Sequence, residues 1–265
     1  MKRTIISYMV ATIVSFAVVG GLMISPLPTM AATQTAAETA AGTQSPVCGE
    51  VVRGNVTLSA NLVCSGDGLI AGDDGTTINL NGFSIEGPGA ASSKIGVVVP
   101  NQDHVSIKGP GRISNFAAAT LITGARGTSI DSMILENNDV AILMTGTRDT
   151  MISQNLIRGN SMGAASHSSD GTSRIESNLF NDNKLAGISL VNSAGFGIAG
   201  NNIQGGKVGI FLDANSNGNA VVANNAFNVG IGLNNGNGLP PTINNNVFKD
   251  NNCETSLPTG LCKGQ

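Results

Sequence analysis

ISQNLI (152–157), IESNLF (175–180), IAGNNI (198–203), VANNAF (222–227) and INNNVF (243–248) are five versions of one short pattern. Each starts on Ile or Val, carries Asn at its fourth place and closes on Ile or Phe. The asparagines Asn155, Asn178, Asn201, Asn225 and Asn246 recur at steps of 23, 23, 24 and 21 residues. A repeat of this length is one supersecondary unit stacked on copies of itself. Working outward, the phase continues upstream through Ile130, Ile107 and Leu80, which puts the first residue of successive coils at 80, 107, 130, 152, 175, 198, 222 and 243.

A unit of about 23 residues is too short for a pair of packed helices. Its composition also argues for strands. Gly and Asn are frequent, apolar runs are short, and AILMT (141–145) and GIFLD (209–213) alternate with period two. The asparagines are read as structural. Asn tolerates left-handed backbone and bonds to nearby main chain, so it suits a sharp bend, and equivalent copies one coil apart can bond along the stack. The apolar residues flanking each Asn are expected to point inward, which assigns Phe180, Phe227 and Phe248 to the interior.

With these segments in view, the chain resembles the right-handed parallel β-helix proteins of the pectin-lyase-like superfamily over about residues 50–252. The run CGEVVRGNVTLSANLVCSGDGLIAGDDGTTINLNGFSIEG (48–87) strengthens the likeness. The resemblance implies an all-β solenoid of eight or nine coils. It implies little about chemistry, because this scaffold carries lyases, hydrolases, epimerases, adhesins and tail-spike modules.

Residues 1–31 read as an export signal or a retained N-terminal anchor. Lys2 and Arg3 precede an apolar stretch, and Thr29-Met30-Ala31 offers a cleavage site. Residues 32–47 read as an Ala/Thr-rich spacer, and 48–265 as the β-helix domain. The expected location is secreted, periplasmic or cell-surface, with membrane contact only through an uncleaved N-terminal segment. Four cysteines in such a compartment are expected to be oxidised. Cys48 and Cys64 precede the first coil while Cys253 and Cys262 follow the last, and eight coils at about 4.8 Å hold the ends roughly 35 Å apart. The pairs are therefore Cys48–Cys64 and Cys253–Cys262.

Without Lys2 and Arg3 the exported part keeps twelve Lys/Arg against seventeen Asp/Glu. This balance argues against nucleic acid as a partner. It also contains no Trp and no Tyr, since the one tyrosine, Tyr8, lies in the signal. Phenylalanine alone is left to stack on a sugar ring. Alignment of AILMTG, GAASHS, GISLVN and GIFLDA sets an outward row of Leu143, Ala165, Ser189 and Phe211. A second row holds Thr145, His167, Val191 and Asp213. Phe211 and Asp213 are therefore candidate binding residues.

The turns after these strands, GARGTS (124–129), TGTRDT (145–150) and SSDGTS (168–173), gather Arg126, Arg148, Asp149, His167 and Asp170. Four readings compete, and one of them is the binding of an anionic ligand. A polysaccharide lyase needs cations to neutralise a uronate and a base to take the adjacent proton. A glycosidase needs two carboxylates at a set separation. The third reading is a solvated ladder of opposite charges that ties the turns together. The coils are too regular for obvious cleft walls, so the expected function is a non-catalytic polysaccharide- or envelope-binding or structural module. A small carbohydrate-active enzyme, more a lyase than a glycosidase, is the alternative.

Asp67, Asp73 and Asp74 in SGDGLIAGDDGTT (65–77) are a candidate Ca²⁺ group. Met144, Met151 and Met162 bear thioethers suited to Cu(I), but their places fit a core better, and His104 falls three coils from His167. No cofactor is expected beyond that Ca²⁺ possibility.

Overall fold

The computed structural model describes residues 45–263 and Gln265. The signal or anchor reading of 1–31 and nearly all of the spacer lie outside the described residues. Three parallel sheets run the length of the molecule, with ten strands in sheet A and nine each in sheets B and C. Strands follow one another A, B, C around each coil, and each pairs only with its equivalents one coil above and below. The result is a β-solenoid of about nine turns with about 23 residues in each.

Sheet A has the long strands, among them Ala118–Thr123, Val140–Thr145, Met162–His167 and Ala186–Val191. Sheets B and C are built mainly from three-residue strands whose central side chain enters the core. In B these are Ile130, Ile152, Ile175, Ile198 and Val221; in C they are Leu135, Ile157, Phe180, Ile203 and Ala226. Short strands suffice because each strand inside a sheet is hydrogen-bonded to a neighbour on both sides along the stack. Each buried Ile or Leu contributes about 1.5–3 kcal/mol. Local sequence follows the packing: a Cβ on Gly163 would run into the Phe180 ring and the Gly187 carbonyl.

The bend between B and C carries the asparagine ladder. Asn155 Oδ1 accepts the Met133 backbone N–H at 2.9 Å, and Asn155 Nδ2 donates to Ile130 O at 2.9 Å and Asn178 Oδ1 at 3.0 Å. Asn178, Asn201 and Asn224 repeat this arrangement, and Asn251 ends it. The left-handed backbone falls on the preceding residue: Gln154 (φ 55), Ser177 (φ 56), Gly200 (φ 62), Ala223 (φ 53) and Asp250 (φ 58). The ladder asparagine supplies hydrogen bonds, and its neighbour supplies the bend.

Two ladder assignments change. Asn225 is exposed and lies on a strand of sheet C, while Asn224 takes its place. Asn246 belongs to a different row, at the entry to sheet B, where it accepts the Asn219 N–H at 2.9 Å. The cause is a short helix, α1 (Pro241–Asn244), which lengthens the last coil so that Asn224 and Asn251 stand 27 residues apart. Ile243, expected inward, sits in that helix and is exposed. The one-residue shift at Asn224 also turns Phe227 outward, because Ala226 pairs with the inward Ile203. Upstream, Ile78 rather than Leu80 pairs with Ile107, although both are buried.

A second ladder, at the bend from C to A, escaped the sequence pattern. Asn138, Asn160 and Asn183 are buried, and each accepts backbone N–H from the coil before it. Disulfides Cys48–Cys64 and Cys253–Cys262 close the two ends, each with Cα atoms 5.5 Å apart.

Candidate functional site

The turns from sheet A to sheet B bring the expected charged group together. Arg126, Arg148 and Asp170 occupy one stacked backbone position on three successive coils, joined by parallel bridges. Each guanidinium reaches a carboxylate on the next coil. Arg126 Nε lies 3.3 Å from Asp149 Oδ2. Arg148 meets Asp170 in two bonds, Nε to Oδ1 at 2.7 Å and Nη2 to Oδ2 at 2.8 Å. The two like-charged arginines are thus each answered by a carboxylate, and both remain half-exposed.

Asp149 is further committed. Its Oδ1 accepts the Thr172 backbone N–H and the Thr172 hydroxyl, each at 2.9 Å. The Thr172 N–H first, and then its hydroxyl, hold the Asp149 carboxyl below its ordinary value of 3.8; the Arg126 and Arg148 charges add to this more weakly, and desolvation opposes it. A carboxylate stabilised in its charged form is a weak proton acceptor. His167 closes its strand at the edge of the group, with Nδ1 3.1 Å from the Ser168 hydroxyl. That hydroxyl accepts from Asn192 Nδ2 at 3.1 Å.

The outward rows of sheet A have the expected register: Leu143, Ala165, Ser189 and Phe211 pair in sequence, as do Thr145, His167 and Val191. Phe211, however, is only 1 % exposed, and Leu143, Ala165 and Ser189 in its row are also buried. Phe211 therefore offers no free stacking face. Asp213 is also taken: its Oδ1 accepts Asn192 N–H at 2.9 Å, Ser216 N–H at 2.8 Å and the Ser216 hydroxyl at 2.7 Å. It caps a turn.

The Asp67, Asp73 and Asp74 carboxylates do not converge. Asp67 accepts the Ile95 N–H at 3.0 Å, Asp73 pairs with Arg53, and Asp74 accepts the Asp103 N–H at 2.8 Å. Each carboxylate is bound to a different neighbour, so the Ca²⁺ reading loses its ligand set. Among the described residues, no group of three or more His, Cys, Asp and Glu comes together to hold a metal.

A further charged group lies on the opposite flank, on sheet C. The Glu136 side chain, 10 % exposed, is held between two arginines. Arg112 Nη1 is 3.3 Å from Oε1, while Arg158 Nη2 and Nε reach Oε2 at 2.6 and 2.7 Å. A shallow cavity of about 450 Å³ opens beside it, lined by Glu136, Arg158, Asn181 and Asp182 among others. Sequence reading passed over this flank because it placed the aromatic of that row, Phe227, in the core.

A comparison with curated protein sequences finds no match. Solved structures that are similar to this chain match it at low identity. Endopolygalacturonase I from Stereum purpureum, complexed with two galacturonates, is 14% identical with a TM-score of 0.47, over 83% of this chain and 84% of that one. The Dettilon tailspike protein is 13% identical with a TM-score of 0.41, over 78% of this chain and 60% of that one. The mannuronan C-5 epimerase A-module of Azotobacter vinelandii is 12% identical with a TM-score of 0.21, over 76% and 68%. A family profile described as periplasmic copper-binding protein (NosD) covers residues 54–260, which is most of the described solenoid. The chain belongs to the NosD family of periplasmic β-helix proteins.

Proposed function

We propose that this protein is a non-catalytic periplasmic module that binds envelope polysaccharide along the flank of its solenoid. The observation that supports this most strongly is the state of the Arg126/Arg148/Asp149/Asp170 group. Each arginine already has a carboxylate within 3.3 Å, and Asp149 also carries two bonds from Thr172. A lyase needs cations free to meet a uronate and a base poised to accept a proton. Here the cations are neutralised, and the Asp149 pKa is moved away from neutrality.

Copper, which the family description names, does not fit the described residues of this chain. All four cysteines are in disulfides. Met144 is a core residue, Met162 is buried at the start of its sheet A strand beside Val140, and Met151 stands exposed on sheet B beside Ser129 and Arg174. His104 lies in a turn on the coil of Ile95–Pro100, three coils from His167, or roughly 14 Å at the strand spacing. Soft ligands for Cu(I) would have to converge, and these are dispersed.

The test is incubation of the exported protein with neutral and uronate polysaccharides, reading bound ligand and newly formed chain ends. Binding without new ends is the expected result. New unsaturated ends that disappear in His167→Ala would establish the lyase instead.

A further inference from the structure

We infer that the polysaccharide lies on the outer face of sheet C, along the solenoid axis, over a polar rail that ends on Phe227 and an aliphatic row that flanks the first three coils of that rail. This inference rests on the binding-module reading above and gives it a location. The polar rail is fixed by register: Glu136 pairs with Arg158, Arg158 with Asn181, Asn181 with Gln204 and Gln204 with Phe227. These five side chains face out on five successive coils, spaced about 4.8 Å apart, so the rail is roughly 19 Å long.

The aliphatic row lies two residues earlier on each strand, at the preceding outward position. Ile134, Leu156 and Leu179 pair in sequence, two of them half-buried and Leu179 41 % exposed, and the row then passes into Asn202 and Asn225 beside Gln204 and Phe227. The cavity of about 450 Å³ opens on the far side of the polar rail from these aliphatic residues, where Glu136, Arg158 and Asn181 meet Asn137, Gly159 and Asp182 of the turn toward sheet A. Its size is within the range of small-ligand sites. A pyranose has apolar C–H faces and a hydroxylated edge, so it matches a surface with aliphatic groups on one side and amides and a guanidinium on the other. Asn181 is half-exposed and Gln204 exposed, and both amides can donate and accept. Phe227 is half-exposed, faces away from Ala226 in the core, and supplies an aromatic surface at the end of the rail.

Charge narrows the ligand class. Glu136 is answered by Arg112 and Arg158, and Asp182 at the cavity rim brings the formal charge of these four residues to zero without an ion pair to either arginine. The strip is close to neutral as a whole. A neutral glycan fits a strip of zero net formal charge better than a polyuronate, which needs a net positive one.

The experiment uses the exported chain, with neutral gluco- and manno-oligosaccharides of six units and an oligogalacturonate of equal length as probes, followed by titration calorimetry. The variants are Phe227→Ala, Gln204→Ala and Asn181→Ala, all at outward positions, with Arg148→Ala as the control on the other flank. A neutral hexasaccharide is expected to bind wild type, with affinity falling about tenfold in Phe227→Ala, a loss of about 1.4 kcal/mol, and unchanged in Arg148→Ala. Retained binding in all three sheet C variants, or a preference for the oligogalacturonate lost in Arg148→Ala, overturns this location while leaving the module reading intact. Failure of wild type to bind any probe overturns both.

Discussion

Asn155 and Asn178, 23 residues apart in the chain, are joined by their side chains: Asn155 Nδ2 donates to Asn178 Oδ1 at 3.0 Å, and the same oxygen accepts the Asn155 backbone N–H at 3.0 Å. One side chain thus satisfies two donors of the coil before it in a buried bend. The apolar strand centres could tolerate many hydrophobic substitutions of similar size. The bend could not tolerate loss of this oxygen.

Asn178→Ala is therefore expected to destabilise the fold by about 1–3 kcal/mol, the cost of orphaned buried donors. Asn225→Ala, at an exposed strand position, should change stability by less than about 0.5 kcal/mol. Denaturant midpoints of the two variants check the contrast. Equal midpoints would mean that the ladder does not run through Asn178.

Reduction of the ends should weaken the solenoid where it has no neighbouring coil. Replacing Cys48 and Cys64 with serine opens a loop of sequence separation 16 and is expected to cost about 3 kcal/mol in the chain-entropy account. A thermal midpoint unaffected by the double substitution would show that the first coil is held by its packing alone.

Arg148→Ala removes a bidentate but solvent-exposed ion pair, so a loss below about 1 kcal/mol is expected. The loss should shrink as salt is raised, because exposed pairs are screened. A loss several times larger, insensitive to salt, would show that the pair is not acting as a surface pair.

Asp149 gives the turn a pH signature. Its folded pKa is depressed, so its contribution is fully present above its ordinary value of 3.8 and is lost as pH falls through the lower folded value. Thr172→Val removes the hydroxyl donor but keeps the backbone one, and should move the Asp149 titration upward toward 3.8. Following that carboxyl by NMR reads the shift directly; a titration that stays in place would remove the Thr172 hydroxyl as a cause and leave the backbone N–H.

Most of the solenoid is legible in the sequence, because the hydrophobic period and the Asn pattern report the same coil. Legibility ended at two places. In VANNAF both Asn224 and Asn225 fit a bend: the six-residue pattern falls on Asn225, whereas the 23-residue step from Asn201 falls on Asn224. Burial chooses Asn224, because only that register puts Val221 and Ala226 inside. The helix at Pro241–Asn244 then carried Asn246 onto another row. The charged turns were legible because Arg126 and Arg148 recur at the same point of the repeat. The ladder of opposite charges is among the readings of these turns; what the sequence leaves open is which carboxylate each arginine meets, Asp149 for Arg126 and Asp170 for Arg148, each one coil on. The sheet C strip was hidden by the single misassigned Phe227.

The most direct test of the binding-module reading is to incubate the exported protein with neutral and uronate polysaccharides and measure bound glycan and newly formed reducing and unsaturated ends in the same samples. A non-catalytic module retains glycan and leaves the number of ends unchanged, in wild type and in His167→Ala alike. Accumulation of new ends with wild type, abolished by His167→Ala, contradicts it.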